Sequence, residues 1–388
     1  MPKPYRISVA VIVVLLLLFL ICPCTVHAAD ASAGSGLDAA AGIDEALGQL
    51  DFNDMDSTLQ KNADTYGGLS FQQLVGQAVS GQLNLSPGYL VGQLSQMLFR
   101  ELYQNAGLIR SLVLIALLGA VLKCLTESFK SKSAGELGFY VSYIALIIVL
   151  FSSFKLCVDI MLDAVGGVAA LMEAALPLII QLIVLSGGVT SASVFSPLVL
   201  FMTNAVTGVV YWVAGPLLIM AAVLQIVNYL MPKDMLSKLS ELIRDGLRWL
   251  LKAMTGLFLG VLSLQKISAP ILDRAAVKTA SSVAGAIPVV GDIVTGAVQS
   301  VAYWVSAAKS GVLVAIVVAI LLAGLVPVIK LLAMVLVYKS TAALIQPLCE
   351  DKITECIDAI GSFAALLLGF TVMVMIMFLF AVMILLSF

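Results

Sequence analysis

The sequence predicts an all-α fold: a polytopic helical membrane protein with a cleaved signal peptide and a small helical extracytoplasmic N-terminal segment. Three observations carry that expectation. Hydrophobic residues make up 61% of the 388-residue chain and charged residues only 11%, where a soluble domain holds about 25% charged residues. Mean hydropathy is +1.09. Beyond residue 107, apolar stretches recur that are each near the roughly 20 residues needed to cross the hydrocarbon core.

The N-terminus has the order of a secretory signal. Lys3 and Arg6 precede a run from Ile7 to Ile21 that is apolar but for Ser8, and Val26-His27-Ala28 offers a small-residue cleavage site. Residues 1–28 are therefore expected to be a signal peptide. The bulky residues before Cys22 and Cys24 argue against a lipoprotein site. Cleavage removes His27, the single histidine, so no imidazole remains as metal ligand or general base. Cys349 and Cys356 would lie about 10 Å apart on one helix, too far for a disulfide. With Cys124 and Cys157, they read as small buried apolar residues.

Residues 29–107 form the extracytoplasmic segment. Its first part, Asp30 to Asp64, is acidic and rich in Ala and Gly, with a short helix expected around Ile43 to Leu50. Phe71, Leu74, Val75, Ala78 and Val79 have helical spacing. Ser86-Pro87 then reads as a helix start. Leu90, Val91, Leu94, Met97, Leu98 and Leu102 give that helix one apolar face. Such faces suit a helix lying on the membrane surface or a docking surface for an external partner.

The membrane domain occupies 108–388, with about seven to nine helices. Nine segments are long and apolar enough to span: 108–125, 138–156, 167–186, 194–213, 215–231, 249–266, 310–329, 331–348 and 362–387. Lys123, Lys130 and Lys132 follow the first, and Lys233, Lys238, Arg244, Arg248 and Lys252 follow the fifth. The positive-inside rule puts both loops in the cytoplasm. Nine spans beginning outside satisfy this and leave the C-terminus inside.

Two amphipathic connectors interrupt the pattern. Residues 232–248 put Met235, Leu239, Leu242 and Ile243 on one face; residues 349–361 do the same with Ile353, Cys356, Ile357 and Ile360. If the two reflect a duplication, nine spans give the halves opposite membrane orientation, as in many transporters. Residues 275–309 are mostly small, with Gly285, Pro288 and Gly291 expected to interrupt a helix and Asp292 to cap a new one running to Ala308. An extracytoplasmic turn and a re-entrant gate both fit. Such a break is tolerated at membrane depth only under protein or beside a water-filled cavity.

Ionisable residues inside apolar segments each cost about 2.5–3.5 kcal/mol at mid-membrane. Glu173 lies within 167–186, and Lys330 is expected at the turn of a 310–348 hairpin. Glu173 with Lys339 is the intramembrane charge pair to test. Lys233, Lys238, Arg244 and Arg248 are the candidate cytoplasmic contacts, for an ATPase or for anionic lipid. No catalytic constellation, metal site or cofactor site emerges. Neither GxxxxGK[ST] nor GxGxxG occurs, so no nucleotide-binding loop is expected, and nothing suggests nucleic-acid binding.

Four short runs stand out: Val277-Lys278-Thr279, Ile287-Pro288-Val289-Val290-Gly291, Tyr338-Lys339 through Ala342-Ala343-Leu344-Ile345-Gln346-Pro347, and Cys356-Ile357-Asp358-Ala359-Ile360-Gly361. With them the chain resembles the stage III sporulation protein AE family of endospore-forming bacteria. The resemblance covers nearly the whole chain and implies a mother-cell membrane component of the channel joining mother cell and engulfed forespore. It implies partners in the lipid bilayer and beyond it: other sporulation channel membrane proteins, ring-forming proteins and a cytosolic secretion-type ATPase. Within that assembly the chain would be a non-enzymatic platform or conduit subunit. The alternative is a stand-alone small-solute permease, with a sealed cavity lined by Glu173.

Overall fold

The computed structural model describes residues 52–61, 70–79, 87–128, 132–185, 189–231, 235–284, 291–349 and 351–386. Among these residues there is no strand. The helices are α1 (Asn53–Lys61), α2 (Phe71–Val79), α3 (Pro87–Gln104), α4 (Ala106–Ser128), α5 (Lys132–Leu185), α6 (Val189–Val209), α7 (Gly215–Leu230), α8 (Ser237–Ala284), α9 (Gly291–Ile345) and α10 (Asp351–Leu386). A π-helical turn, Val210–Ala214, joins α6 to α7. The signal peptide and the 43–50 helix lie outside the described residues.

Three expected turns are absent, and the nine segments become fewer, longer helices. Segments 138–156 and 167–186 both lie on α5, and 310–329 and 331–348 both lie on α9. Lys330 is therefore inside a helix and marks no turn. The residues between the α5 segments, Val158 to Val165, contain no proline or glycine to stop a helix, and Asp159 and Asp163 are simply exposed on one side. Pro177 and Pro327 are each carried inside a helix. Pro216 lacks the N–H that would continue the ladder, and the chain answers with a π turn in which the Gly215 N–H bonds the Val210 carbonyl. The 194–213 and 215–231 segments thus form one candidate span, Pro197–Tyr229.

Among the described residues, five helices are long and apolar enough to cross a membrane, or six counting the bent α3–α4 pair. Val141–Val184 of α5 is 44 residues, roughly 66 Å at 1.5 Å per residue. That is about twice the 30 Å hydrocarbon core, so part of α5 must stand outside it or against protein.

Three helical hairpins, α4/α5, α7/α8 and α9/α10, turn at the same end. A Cβ placed on Gly119 would lie 3.7 Å from the Ser142 Cβ and 4.0 Å from Ile353. Lys352 Nζ donates to the Met231 carbonyl at 3.3 Å. The exit helices α5, α10 and α8 then run in parallel with α10 in the middle. Phe363 of α10 meets Phe154 of α5 edge-on at 6.4 Å, while the Arg244 guanidinium of α8 lies 5.6 Å over the same ring. Farther along, the Phe258 and Phe378 rings are 6.3 Å apart.

This geometry changes two expectations. The connectors 232–248 and 349–361 share one end, so their hairpins point the same way and are not inverted. The C-terminal end of α10 lies opposite both the α7/α8 and the α9/α10 turns, whereas nine spans would put it on the side of the α7/α8 turn. From Ser237 and from Asp351 onward the connectors are not separate pieces, since these residues form the first turns of α8 and α10.

The N-terminal helices are part of the core. Ser70 and Gln73 cap α2 reciprocally, each backbone N–H donating 3.2 Å to the other's side chain. The Asp56 carboxylate accepts the Phe71 N–H. Met55, Leu59, Phe71, Leu74 and Val75 are buried, with α1 against α5 and α2 and α3 against α9. The apolar face of 71–79 is thus covered by the chain itself, and is not left for lipid or an external partner.

Candidate functional site

The most extensive helix packing joins α9 to α10, and a polar knot sits where they cross. Lys339 Nζ donates to the Asp358 carboxylate at 2.7 Å, the Asp358 carbonyl at 3.0 Å and Ser362 Oγ at 2.8 Å. An ammonium has three N–H donors, so all of them are used. Two sequence features place the acceptors: Asp358 and Ser362 are four apart on α10, one above the other on the same helix face. Gly361 lies beside them. A Cβ there would stand 3.0 Å from the Tyr338 Cβ and 3.4 Å from Lys339 Cε. The missing side chain is what lets α10 approach closely enough for Lys339 to reach.

On the other side of α9, Tyr338 ties in α5. Its hydroxyl donates to Ser153 Oγ at 2.7 Å, and Ser153 donates onward to the Leu150 carbonyl at 3.0 Å. Cys157 Sγ is 4.0 Å from the Tyr338 oxygen. Tyr338, Phe154 and Phe363 are fully buried. Adjacent residues 338 and 339 therefore fasten α9 to two different helices. A further tie joins α5 to the π turn, where Tyr211 Oη donates to the Leu162 carbonyl at 2.8 Å.

This arrangement holds helices together. The three N–H donors of Lys339 are all engaged, and its hydrogen bonds give it a positioning task. Among the described residues no group of three His, Cys, Asp or Glu side chains is placed to hold a metal.

The sequence-predicted residues are dispersed. Lys339 is paired with Asp358, not Glu173, whose side chain is exposed on α5. The reason is that α9 and α10 are antiparallel neighbours, which brings Tyr338-Lys339 onto Asp358-Gly361. Lys238 pairs with Glu241 at 3.3 Å and Arg248 with Asp245 at 2.8 Å, both three apart on α8. Arg244 turns inward over Phe363. The expected apolar face of this connector is turned outward: Met235, Leu239 and Leu242 are exposed, while Ser240 and Leu247 are buried. Lys233 lies outside the described residues, as do Gly285 and Pro288. Gly291 and Asp292 open α9, which runs past Ala308 to Ile345.

Asp358, Ser362 and Ser153 escaped notice as site residues. An acid one turn from a glycine inside an apolar run was the available signal for Asp358. The cysteines divide: Cys157 and Cys356 are buried, Cys349 is half-buried and Cys124 is exposed. Burial pushes the Cys349 thiol above its ordinary pKa.

Similarity to known proteins follows this geometry. The family described as Stage III sporulation protein AE matches residues 69–388, a region that begins at the α2 cap and includes the Lys339–Asp358 knot. The Stage III sporulation protein AE of Bacillus subtilis (strain 168) is 29% identical over 300 residues, covering 76% of this chain and 75% of that protein. No solved structure matches the chain.

Proposed function

The chain belongs to the stage III sporulation protein AE family, and on that premise we propose that it is a non-enzymatic platform or conduit subunit of a transenvelope channel between mother cell and forespore. A sporulation-related, multi-pass membrane protein is the frame. Within it, the observation that carries the proposal is the disposition of charge. Among the described residues, Lys339 and Asp358 fasten two helices to each other, and Glu173 stands on the outside of the bundle. A stand-alone permease needs such groups turned toward an interior path. An assembly subunit needs ties inside and polar or apolar faces outside.

In this reading the protein sits in the mother-cell membrane around the forespore, with its mature N-terminus extracytoplasmic. Its partners are other channel membrane proteins, ring-forming proteins and a secretion-type ATPase reaching the start of α8. Gly285, Pro288, Gly291 and Asp292 are the structural or gating residues of this reading, and Gly291→Leu abolishes assembly or function.

The test is genetic and biochemical together. A deletion strain should complete engulfment and then fail in late forespore gene expression, while Glu173→Gln restores it fully. Normal sporulation of the deletion strain, or solute uptake by vesicles holding this protein alone that Glu173→Gln abolishes, overturns the proposal.

A further inference from the structure

Two open faces of the bundle carry opposite charge at the same height. On α5, Lys155, Asp159, Asp163 and Glu173 are exposed along one stripe, because their spacings return to the same side at 100° per residue. On α8, half-exposed Arg248 and exposed Lys252 form a basic edge, with Asp245 paired to Arg248 beside them. Height is fixed by Phe363, which touches Phe154 on one side and Arg244 on the other. Because α5 and α8 run in parallel from the same end, Asp159 and Asp163 stand level with Arg248 and Lys252, about 6–13 Å farther along.

We propose that these faces join a second copy of this chain head to tail, with α8 of one copy packed against α5 of the next. The inference goes beyond the sporulation reading and does not depend on it. Three features single out this occupant over lipid. First, the stripe puts four ionisable side chains within about 27 Å of one helix, and each such group is costly against hydrocarbon. Second, the complementary face is on the same chain at the same height. Third, the internal row α5, α10, α8 already packs exit helices side by side in parallel, and a neighbour's α5 beside α8 continues that row. The α8 face is suited to close approach: Trp249 and Leu257 are exposed, and at Gly256 and Gly260, four apart, a Cβ would meet open space. Such a heterologous contact closes into a ring or continues as a helical array.

Disulfide trapping of the full-length protein in membranes tests this. Cys124 and Cys349 are changed to Ser, and buried Cys157 and Cys356 are kept. Chains carrying both Asp163→Cys and Lys252→Cys should form an oligomer ladder on oxidation, while chains carrying one should not. Asp163→Lys should lower the oligomeric fraction of the otherwise native protein about tenfold, and adding Lys252→Asp should restore it. Native mass spectrometry of the unaltered protein in nanodiscs needs no variant and should show oligomers. A strictly monomeric unaltered protein overturns the proposal. So does a double-cysteine chain that stays monomeric, or a Lys252→Cys chain that dimerises by itself.

Discussion

Replacing Gly361 offers the sharpest stability test of the α9–α10 crossing. An alanine Cβ would stand 3.0 Å from the Tyr338 Cβ, well inside the roughly 3.5–4.0 Å optimum for two carbons. The helices must then separate by several tenths of an ångström. Overpacking of this kind costs about 1–3 kcal/mol, and the better helix propensity of Ala returns up to about 1 kcal/mol. Gly361→Ala should therefore lose about 0–2 kcal/mol. Gly361→Leu places further carbons where Lys339 Cε and Cδ now lie, 3.4 and 3.5 Å from the Cβ position. It should break the ammonium's bonds to Asp358 and cost more than about 3 kcal/mol. Gly92 on α3, exposed with open space at its Cβ position, is the control, where Ala should be neutral or stabilising by up to about 1 kcal/mol. The assay is thermal unfolding in detergent, followed by labelling of the buried Cys157 and Cys356 thiols with Cys124 and Cys349 replaced. Wild-type melting of Gly361→Leu would refute the crossing described.

Other consequences are smaller. Lys339→Met should destabilise by about 1 kcal/mol, since the pair is partly exposed and screened, and Asp358→Asn in the same chain should recover part of it; additive losses would deny the pairing. Tyr338→Phe should cost about 0.5–1.5 kcal/mol through the lost bond to Ser153, and no change in melting would remove the α5–α9 tie from the account. Reporters fused after Met231 and after Leu348 should answer from the same side of the membrane, because the α7/α8 and α9/α10 hairpins turn at one end of the bundle. Opposite answers would contradict the shared-end geometry.

The membrane class was legible in composition, because lipid imposes it on every segment alike. Helix starts were also legible where a local rule acts: Pro87 opens α3, and the apolar positions Phe71, Leu74 and Val75 do become a buried face. The span count was not. Apolar runs punctuated by Asp159 and Asp163, or by Lys330, look alike whether the chain turns or continues, and only neighbouring helices decide. The same limit hid the site. Tyr338-Lys339 and Asp358-Gly361 were both visible as runs, but their contact depends on α9 and α10 being antiparallel at one register. For α8 the pattern of Met235, Leu239 and Leu242 gave an apolar face correctly and left open which side it would show, since partners and lipid both accept such a face.

The central claim is that this chain works inside an assembly and not alone. Detergent pull-down of the tagged protein from cells entering sporulation, with mass spectrometry of what co-purifies, tests it most directly. The account predicts recovery of other sporulation membrane proteins in stable proportion to the tagged chain. Recovery of the chain without any such protein, under conditions where it remains folded, would contradict it.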